Sequence, residues 1–339
     1  MLNGSITIKD IAEKAGVSVS TVSKVLNNYT DISEKTREKV NTACRELNFT
    51  SDLNSRSQQK KESMRIGLII EDYKKNGVSE AFTLEILMGF KQYLLENGFE
   101  VILLSTSTPE QKEVSLAKLV TANNLRGIFY LGMKLSDPYY DEVKKEDFPC
   151  VLFDIPLGRE RAGNVGVDNL KGAMLATEHL LESGHRKIAF VNGYKDAYVS
   201  AERLNGYFLA LNKYDVSINR DIIQEADFTE EGAKKAIEGI LKRDASITAV
   251  FAASDLMAAG IIKYLNSIGK KVPEDISVIG FDDIEIASHI TPGLTTIRQE
   301  RFEIGMSAAT LLVNLINGQK MHSILVEPRL VIRGSTSNI

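Results

Sequence analysis

Along residues 5–48 the apolar positions recur at helical spacing. Ile8, Ile11, Ala12 and Ala15 fall at i, i+3, i+4 and i+7, one stripe of a helix. Thr7 stands just before that stripe as an N-cap, with Asp10 three residues on and able to reach back. Gly16-Val17 then makes a turn, since glycine takes the positive φ that ends a helix. Ser18 caps a second helix, SVSTVSKVLNN, whose apolar positions are Val22, Val25 and Leu26. Ser33 caps a third, with Val40, Cys44 and Leu47 predicted to face inward. Two short helices joined by a tight glycine turn and propped by a third are the helix-turn-helix plan.

Residues 49–64 (FTSDLNSRSQQKKESM) are polar with almost nothing apolar. They read as a linker, or as a helix that forms only when something orders it. From Arg65 the pattern changes. Short apolar runs (RIGLII, EVILLS, GIFYLG, PCVLFD, KIAFVNG, ITAVFAAS, ISVIGFD) alternate with amphipathic segments such as 82–96, 172–183, 201–213 and 231–243. Near-continuous apolar strands between helices predict parallel sheets covered on both faces. The strands are too many for one sheet, and a break near 164–168 predicts two α/β lobes. The fold class expected is therefore α/β with an all-α helix-turn-helix headpiece. The expected division is a DNA-binding domain over 1–50, a hinge linker over 51–64 and a ligand-binding and dimerisation domain over 65–339. Within the last, one lobe takes about 65–163 plus 292–325, and the other about 164–291 plus 326–339.

Composition adds the partner. The chain has 339 residues, 43% hydrophobic and 25% charged, with a net charge of −4. Residues 1–61 nevertheless carry 10 lysines and arginines against 7 acids, so the basic end sits on an acidic body. That distribution suggests that only the headpiece touches a polyanion. The N-terminus lacks the basic-then-apolar pattern of a secretory signal, and no apolar run approaches the ~20 residues of a membrane span. A cytoplasmic protein is expected. Cys44 and Cys150 read as two buried thiols rather than a disulfide or a metal site. His179, His185, His289 and His322 show no metal-ligand spacing, and His185 in ESGHRKI reads as structural. There is no P-loop, no G-x-G-x-x-G after the first strand and no serine elbow, which argues against an enzyme on a doubly wound fold. No cofactor and no metal are expected.

Within the second helix, Ser20, Lys24 and Asn27 lie at i, i+4 and i+7, flanked by Val19 and Ser23 and opposite Val22 and Leu26. Such a face suits the major groove. Hydroxyls and helix-start N–H groups fix phosphates, Lys24 reaches acceptors on guanine, and Val19 meets a thymine methyl. Taken alone, the same face reads equally well as a solvated helix surface. Residues 6–49, and above all IKDIAEKAGVSVSTVSKVLN, closely resemble the headpiece of the lactose-repressor (LacI/GalR) family. MRIGLII, LRGIFYLG, LLESGHRKIAFVNG, RLNGY, SDLMAAG, VPEDISVIGFDD, TPGLTTIRQ and PRLVIRGST continue the resemblance in order through nearly the whole chain. It implies a two-lobed, periplasmic-binding-protein-like sensor domain and a repressor of carbohydrate-use genes that binds double-stranded operator DNA under allosteric control. By the same resemblance Val19 and Ser20 occupy base-reading positions, and Lys24 a basic groove-contacting one. Thr7, Thr21, Ser23 and Asn27 match positions that contact the DNA backbone or pack, with Ser18 at the helix start and Ser55 and Arg56 in the linker.

The linker departs from the family pattern of tyrosine, proline-asparagine, arginine and then leucine. Phe49, Ser51 and Asp52 replace the first three, Arg56 is kept, and Gln58 takes the place of the leucine that wedges into the minor groove. Glutamine is a poor wedge, so weaker bending is expected, with Gln58 bonding base edges instead.

Two lobes joined by crossing strands place a cleft at the strand C-terminal ends. Asp72, Asp154, Ser254, Asp255, Asp282 and Asp283 follow such strands, and Arg203 opens the RLNGY helix. Carboxylates accept from paired hydroxyls and arginine donates in a fork, which suits a polyhydroxylated ligand. A helix cap or surface ion pair is an equal reading for any one of these carboxylates. The resemblance implies effector contacts from Asp72, Arg203, Ser254, Asp255 and Asp282, with Phe82 and Phe228 at stacking positions. Core packing is an equal reading for Phe82. Thr83 stands where the purine-sensing branch has a second ring, so a sugar is expected over a purine. A purine- or nucleoside-responsive repressor and a catabolite-type regulator with a phosphocarrier-protein corepressor are the alternatives. A homodimer is expected from half-site symmetry, with no C-terminal coiled coil after VIRGST.

Overall fold

The computed structural model describes residues 8–26, 32–47, 64–71 and 80–339. The chain divides into two compact units, Met1–Ser63 and Met64–Ile339. Thr7, Asn27, Ser55, Arg56, Gln58 and Asp72 lie outside the described residues.

In the first unit, α1 (Ile8–Ala15), α2 (Val19–Leu26) and α3 (Glu34–Glu46) enclose a core of Ile11, Ala12, Val22, Val25, Val40 and Ala43. Gly16, at φ +63°, ends α1, and the Val17 N–H reaches the Ala12 carbonyl at 3.0 Å, closing the left-handed glycine cap. Ser18 starts α2 by accepting the Thr21 N–H at 3.1 Å. Ser33 does the same for α3 with the Thr36 N–H at 3.3 Å. On α3 the buried positions are Val40 and Ala43, while Cys44 and Leu47 pack partly buried at the edge of that core. Cys44 is thus half-buried and Cys150 fully buried, and both are free thiols.

The second unit holds two six-stranded sheets. The first comprises β1 (Arg65–Glu71), β2 (Glu100–Thr106), β3 (Gly127–Leu131), β4 (Cys150–Phe153), β5 (Ala162–Val167) and β11 (Ser323–Val326), in the order β11-β5-β4-β3-β1-β2. Every pairing in it is parallel. The second comprises β6 (Ile188–Asn192), β7 (Ile223–Glu225), β8 (Ala249–Ala252), β9 (Ser277–Asp282), β10 (Thr295–Arg298) and β12 (Arg329–Val331), in the order β12-β10-β9-β8-β6-β7. There only β12 runs antiparallel, on β10. Between the strands run α4 (Glu80–Glu96), α5 (Thr108–Glu113), α6 (Leu116–Ala122), α7 (Pro138–Val143), α8 (Asn169–Glu182), α9 (Tyr198–Lys213), α10 (Glu230–Arg243), α11 (Asp255–Ser267), α12 (Glu285–His289) and α13 (Arg301–Ile316). Burial follows the parallel-sheet rule, since β1, β3, β5, β6 and β8 are buried over nearly their whole lengths.

The chain passes between the lobes three times, after Val167, between Arg298 and Arg301, and between Val326 and Arg329. Two of these points differ from the sequence expectation. All of β5 belongs to the first sheet, and β10 belongs to the second, so the return to the first lobe starts with α13 rather than at 292. The reason lies in β5, which reads AGNVGV and looks like a break in the apolar pattern. Its small residues make room: a β-carbon at Gly166 would sit 2.0 Å from the Asp154 carboxylate. His185 ties the α8–β6 turn to the C-terminal segment, with Nδ1 on Thr248 Oγ1 at 2.9 Å and Nε2 on the Ser337 carbonyl at 3.1 Å. A carbonyl only accepts, so Nε2 carries the proton.

Helices α4 and α13 cross in backbone contact on the first sheet. A β-carbon at Gly305 would stand 2.1 Å from the Ile86 carbonyl oxygen, and one at Gly89 2.1 Å from that of Phe302. Gly305→Ala must therefore push the helices apart. We expect it to cost about 1–3 kcal/mol, read as a lowered thermal midpoint of the purified protein.

Candidate functional site

On α2 the buried side is Val22 and Val25, while Val19, Ser20 and Lys24 are exposed and Thr21 and Ser23 half-buried. Val19 is 45% exposed, which packing within this unit does not explain. The Ser18 hydroxyl contacts both Ser20 Oγ at 2.7 Å and Thr21 Oγ1 at 2.8 Å, so three hydroxyls cluster at the helix start. The helix thus presents a small apolar tip, a hydroxyl cluster and, one turn on, a lysine.

Between the two lobes of the second unit lies a cavity of about 140 Å³. Its polar groups come from strand ends and helix starts. Asp154 follows β4, Asp282 ends β9, Ser254 precedes α11, Gln299 follows β10 and Arg203 lies in the second turn of α9. Arg203 organises them. Its Nε donates to Asn169 Oδ1 at 2.9 Å, its Nη1 donates to the Ala253 carbonyl, and its Nη2 lies 3.9 Å from Asp282 Oδ1. The guanidinium stacks 3.8 Å from the Phe281 ring centroid. Asn169 in turn donates Nδ2 to Asp154 Oδ1 at 3.1 Å, and Gln299 donates Nε2 to Asp282 Oδ1 at 2.7 Å. Gln299 Oε1 is buried and accepts no hydrogen bond from the described residues. Apolar walls face this floor. Phe82 and Phe153 meet edge to face at 6.0 Å, Tyr194 and Phe228 do so at 5.1 Å, and Tyr198, Met133, Leu256 and Ile284 fill between.

Three residues of the site hold left-handed backbones without being glycine: Asp154 (φ 61°), Phe228 (φ 60°) and Asp282 (φ 116°). Strain of this kind is held by surroundings that over-determine the conformation, and it gathers where side chains must be aimed. Electrostatics follow from burial. The Asp154 carboxyl is pushed up to about 7 by desolvation, with Arg203 and the Asn169 bond pulling the other way. Asp282 is pushed up to about 6 by the same cause, opposed by Arg203 and Gln299. An apolar, aromatic cavity with one donor fork, two carboxyls and a spare amide oxygen can bind a neutral small molecule rich in hydroxyls. Among the described residues, no group of three or more His, Cys, Asp or Glu is placed to hold a metal ion, and no helix is long and apolar enough to cross a membrane.

The description "Bacterial regulatory proteins, lacI family" matches residues 7–52, and "Periplasmic binding protein-like domain" matches residues 177–336. The HTH-type transcriptional repressor CytR of Escherichia coli (strain K12) is 34% identical over 332 residues, which are 97% of this chain and 96% of that one. This chain belongs to the lacI family of bacterial regulatory proteins. Two solved relatives carry the likeness into three dimensions. A transcriptional regulator CelR–cellobiose complex is 31% identical with a TM-score of 0.75, covering 97% of this chain and 99% of that one. A lac repressor dimer bound to operator and the anti-inducer ONPF is 27% identical with a TM-score of 0.73, covering 98% and 100%.

Against the lacI-family expectation, Phe82, Arg203, Phe228, Ser254 and Asp282 all line the cavity. Ser254 also caps α11, accepting the Met257 N–H at 3.2 Å. Asp255 is a correction. It is fully buried behind the cavity, where it accepts the Ile284 N–H at 2.8 Å and the Thr296 hydroxyl, and so braces the loop that carries Asp282. It follows β8 just after Ser254, but both of its carboxylate oxygens are bonded within the protein and it does not line the cavity. Sequence reasoning left out Asn169, Gln299, Phe153, Tyr194 and Tyr198. Asn169 and Gln299 each sit next to a lobe crossing, a place that only the topology reveals. The aromatic Phe153 before Asp154 was the one readable signal, and it supplies a ring beside Phe82 that Thr83 does not.

The sign of the Asp154 shift sets a pH dependence. A folded value near 7 against about 4 in the unfolded chain means extra protons bound in the native state. The carboxyl's stabilising contribution is then complete below about pH 4 and lost as pH rises through about 7. Asp154→Asn keeps an acceptor for Asn169 and removes the titration. We expect its thermal midpoint to fall less than that of the wild type between pH 5 and pH 8 in matched buffers.

Proposed function

We propose that this chain is a repressor that binds operator DNA as a homodimer and changes its grip when a polyhydroxylated small molecule, a sugar in the simplest case, fills the cleft. The observation that carries the reading is the Arg203-centred floor of the cavity, a buried donor fork beside Asp154, Asp282 and Gln299 and walled by aromatic rings. Sugar rings offer paired hydroxyls to such acceptors and donors, and an apolar face to the rings. The relative solved with cellobiose supports this ligand class. The relative solved as a dimer on operator supports the assembly. So does an apolar face of Leu84, Met88 and Leu95 on α4 with Leu103 on β2, each more than half exposed, which a second copy would cover. On DNA, Val19 and Ser20 read base edges, Lys24 reaches into the groove, and Ser18, Thr21 and Ser23 hold the backbone. By family resemblance Thr7, Asn27, Ser55, Arg56 and Gln58 also contact the DNA. The effector set is Phe82, Asp154, Arg203, Phe228, Ser254, Asp282 and Gln299, and by family resemblance Asp72. The chain acts by binding rather than catalysis, in the cytoplasm where its operator lies.

A second reading of the ligand, a nucleoside, draws on the rings. Phe82, Phe153, Tyr194, Tyr198 and Phe228 all line the cavity, enough aromatic wall for a flat heterocycle joined to a sugar.

Two measurements test the whole. Lys24→Glu should lower operator affinity at least tenfold by fluorescence anisotropy, since a good groove contact carries about 1–3 kcal/mol; unchanged affinity removes the DNA assignment. In a thermal-shift panel of mono- and disaccharides and nucleosides, the matching ligand should raise the wild-type midpoint, because ligand at about 100 times Kd adds about 2.7 kcal/mol. Arg203→Ala should abolish that rise while operator binding without ligand persists.

A further inference from the structure

Two loops, one from each lobe, line the cavity, and they are bonded to each other across the cleft. The loop after β3 gives Gly132 and Met133 to the cavity wall, and the loop after β6 gives Tyr194 and Ala197. Between them the Ser136 hydroxyl donates to Asp196 Oδ2 at 2.6 Å, and the Leu135 N–H donates to the Asp196 carbonyl at 3.1 Å. Lys134 Nζ adds a contact 5.8 Å from the Tyr194 ring centroid. One lobe supplies both donors and the other supplies one residue that accepts both.

We infer that Ser136 and Asp196 form a latch that holds the ligand cleft closed across its rim.

Each jaw is braced from behind, so the contact joins two rigid bodies rather than two loose loops. In the first lobe, Asp137 is buried and its Oδ2 accepts the Lys134 N–H at 2.6 Å, which shapes the 134–137 turn. The Thr108 hydroxyl lies 3.2 Å from both Asp137 Oδ1 and Glu71 Oε1, tying that turn to the end of β1. Glu71 is held up to about 8 by burial and by the neighbouring Asp137, so Glu71 can sit beside that carboxylate. In the second lobe, Asn192 donates Nδ2 to the Ser200 carbonyl and accepts the Gly193 N–H, both at 2.9 Å, pinning the 193–197 loop against the start of α9.

The contact is exposed and each bond is worth little alone, but it acts on an equilibrium between open and closed lobes. A ligand that binds the closed state has an apparent dissociation constant divided by the closed fraction. The latch thus raises affinity and slows ligand exit without touching the ligand. That consequence rests on the effector reading of the cleft, while the closure itself does not. Ser136 and Asp196 are positioning residues, since neither lines the cavity.

Amide hydrogen exchange on the full-length, ligand-free protein tests closure directly. In Asp196→Ala and in Ser136→Ala, exchange should rise about three- to tenfold in segments 132–137 and 193–197. It should rise by a similar factor at the far wall, around Phe82 and Ile284, while the buried strands β3 and β8 keep the wild-type rate. The paired exchange Ser136→Asp with Asp196→Ser should restore protection at the far wall. Acceleration confined to the two loops, acceleration that extends equally to β3 and β8, or no acceleration at all overturns the latch. Because no ligand is added, the outcome is independent of whether the thermal-shift panel finds an effector.

Discussion

A guanidinium taken out of water must find acceptors for its donors, and Arg203 finds them on three separate parts of the second lobe, one of which, Asn169, hands the network on to the first. Its Nε bonds Asn169, which stands at the first lobe crossing; its Nη1 bonds the carbonyl after β8; its Nη2 faces Asp282 at the end of β9. Leaving such a charge unpaired costs several kcal/mol, so the arrangement is close to all-or-none. Through Asn169 the constraint passes on to Asp154, which the first lobe contributes. The floor of the cavity is therefore a single network that spans the hinge. Anything that binds Asp154, Arg203 or Asp282 feels, and alters, the relation between the lobes.

The second constraint is that acids in this network are desolvated. Asp154 and Asp282 share one arginine and oppose each other's charge. A ligand whose hydroxyls donate to these oxygens favours the charged carboxyl over the neutral one, so binding and proton release are linked here. The same logic explains why Asp255, equally buried, is spent on structure. With an N–H and a hydroxyl already donated to it, it has little left to offer a ligand.

Much of this was legible in the chain. Alternating apolar runs and amphipathic stretches located the strands and helices, and the capped stripes of residues 8–47 located the headpiece, because both signals are local periodicities. Arg203, Asp282, Phe82 and Phe228 were legible through their place beside family landmarks. The lobe boundary was less so, because β5 is built from small residues that accommodate Asp154 and so carries no apolar run. Asn169 and Gln299 were illegible for another reason. Their roles come from standing next to crossings, and a crossing is a property of sheet order, which no window of sequence contains.

The location of the closing contacts follows from the same topology. All three crossings lie on one side of the second unit, so the lobes can part only at the other, and there the strand-end loops of β3 and β6 face each other. The hinge residues are fixed by buried, charge-assisted bonds, whereas the rim is fixed by exposed bonds from Ser136 and Leu135 to a single aspartate. Strong bonds at the pivot and weak ones at the rim make a body that opens on one axis at low cost. A sensor needs that arrangement, because a ligand that favours the closed state can shift an equilibrium only where the open state is populated without it, and a stiffer rim would leave nothing to shift.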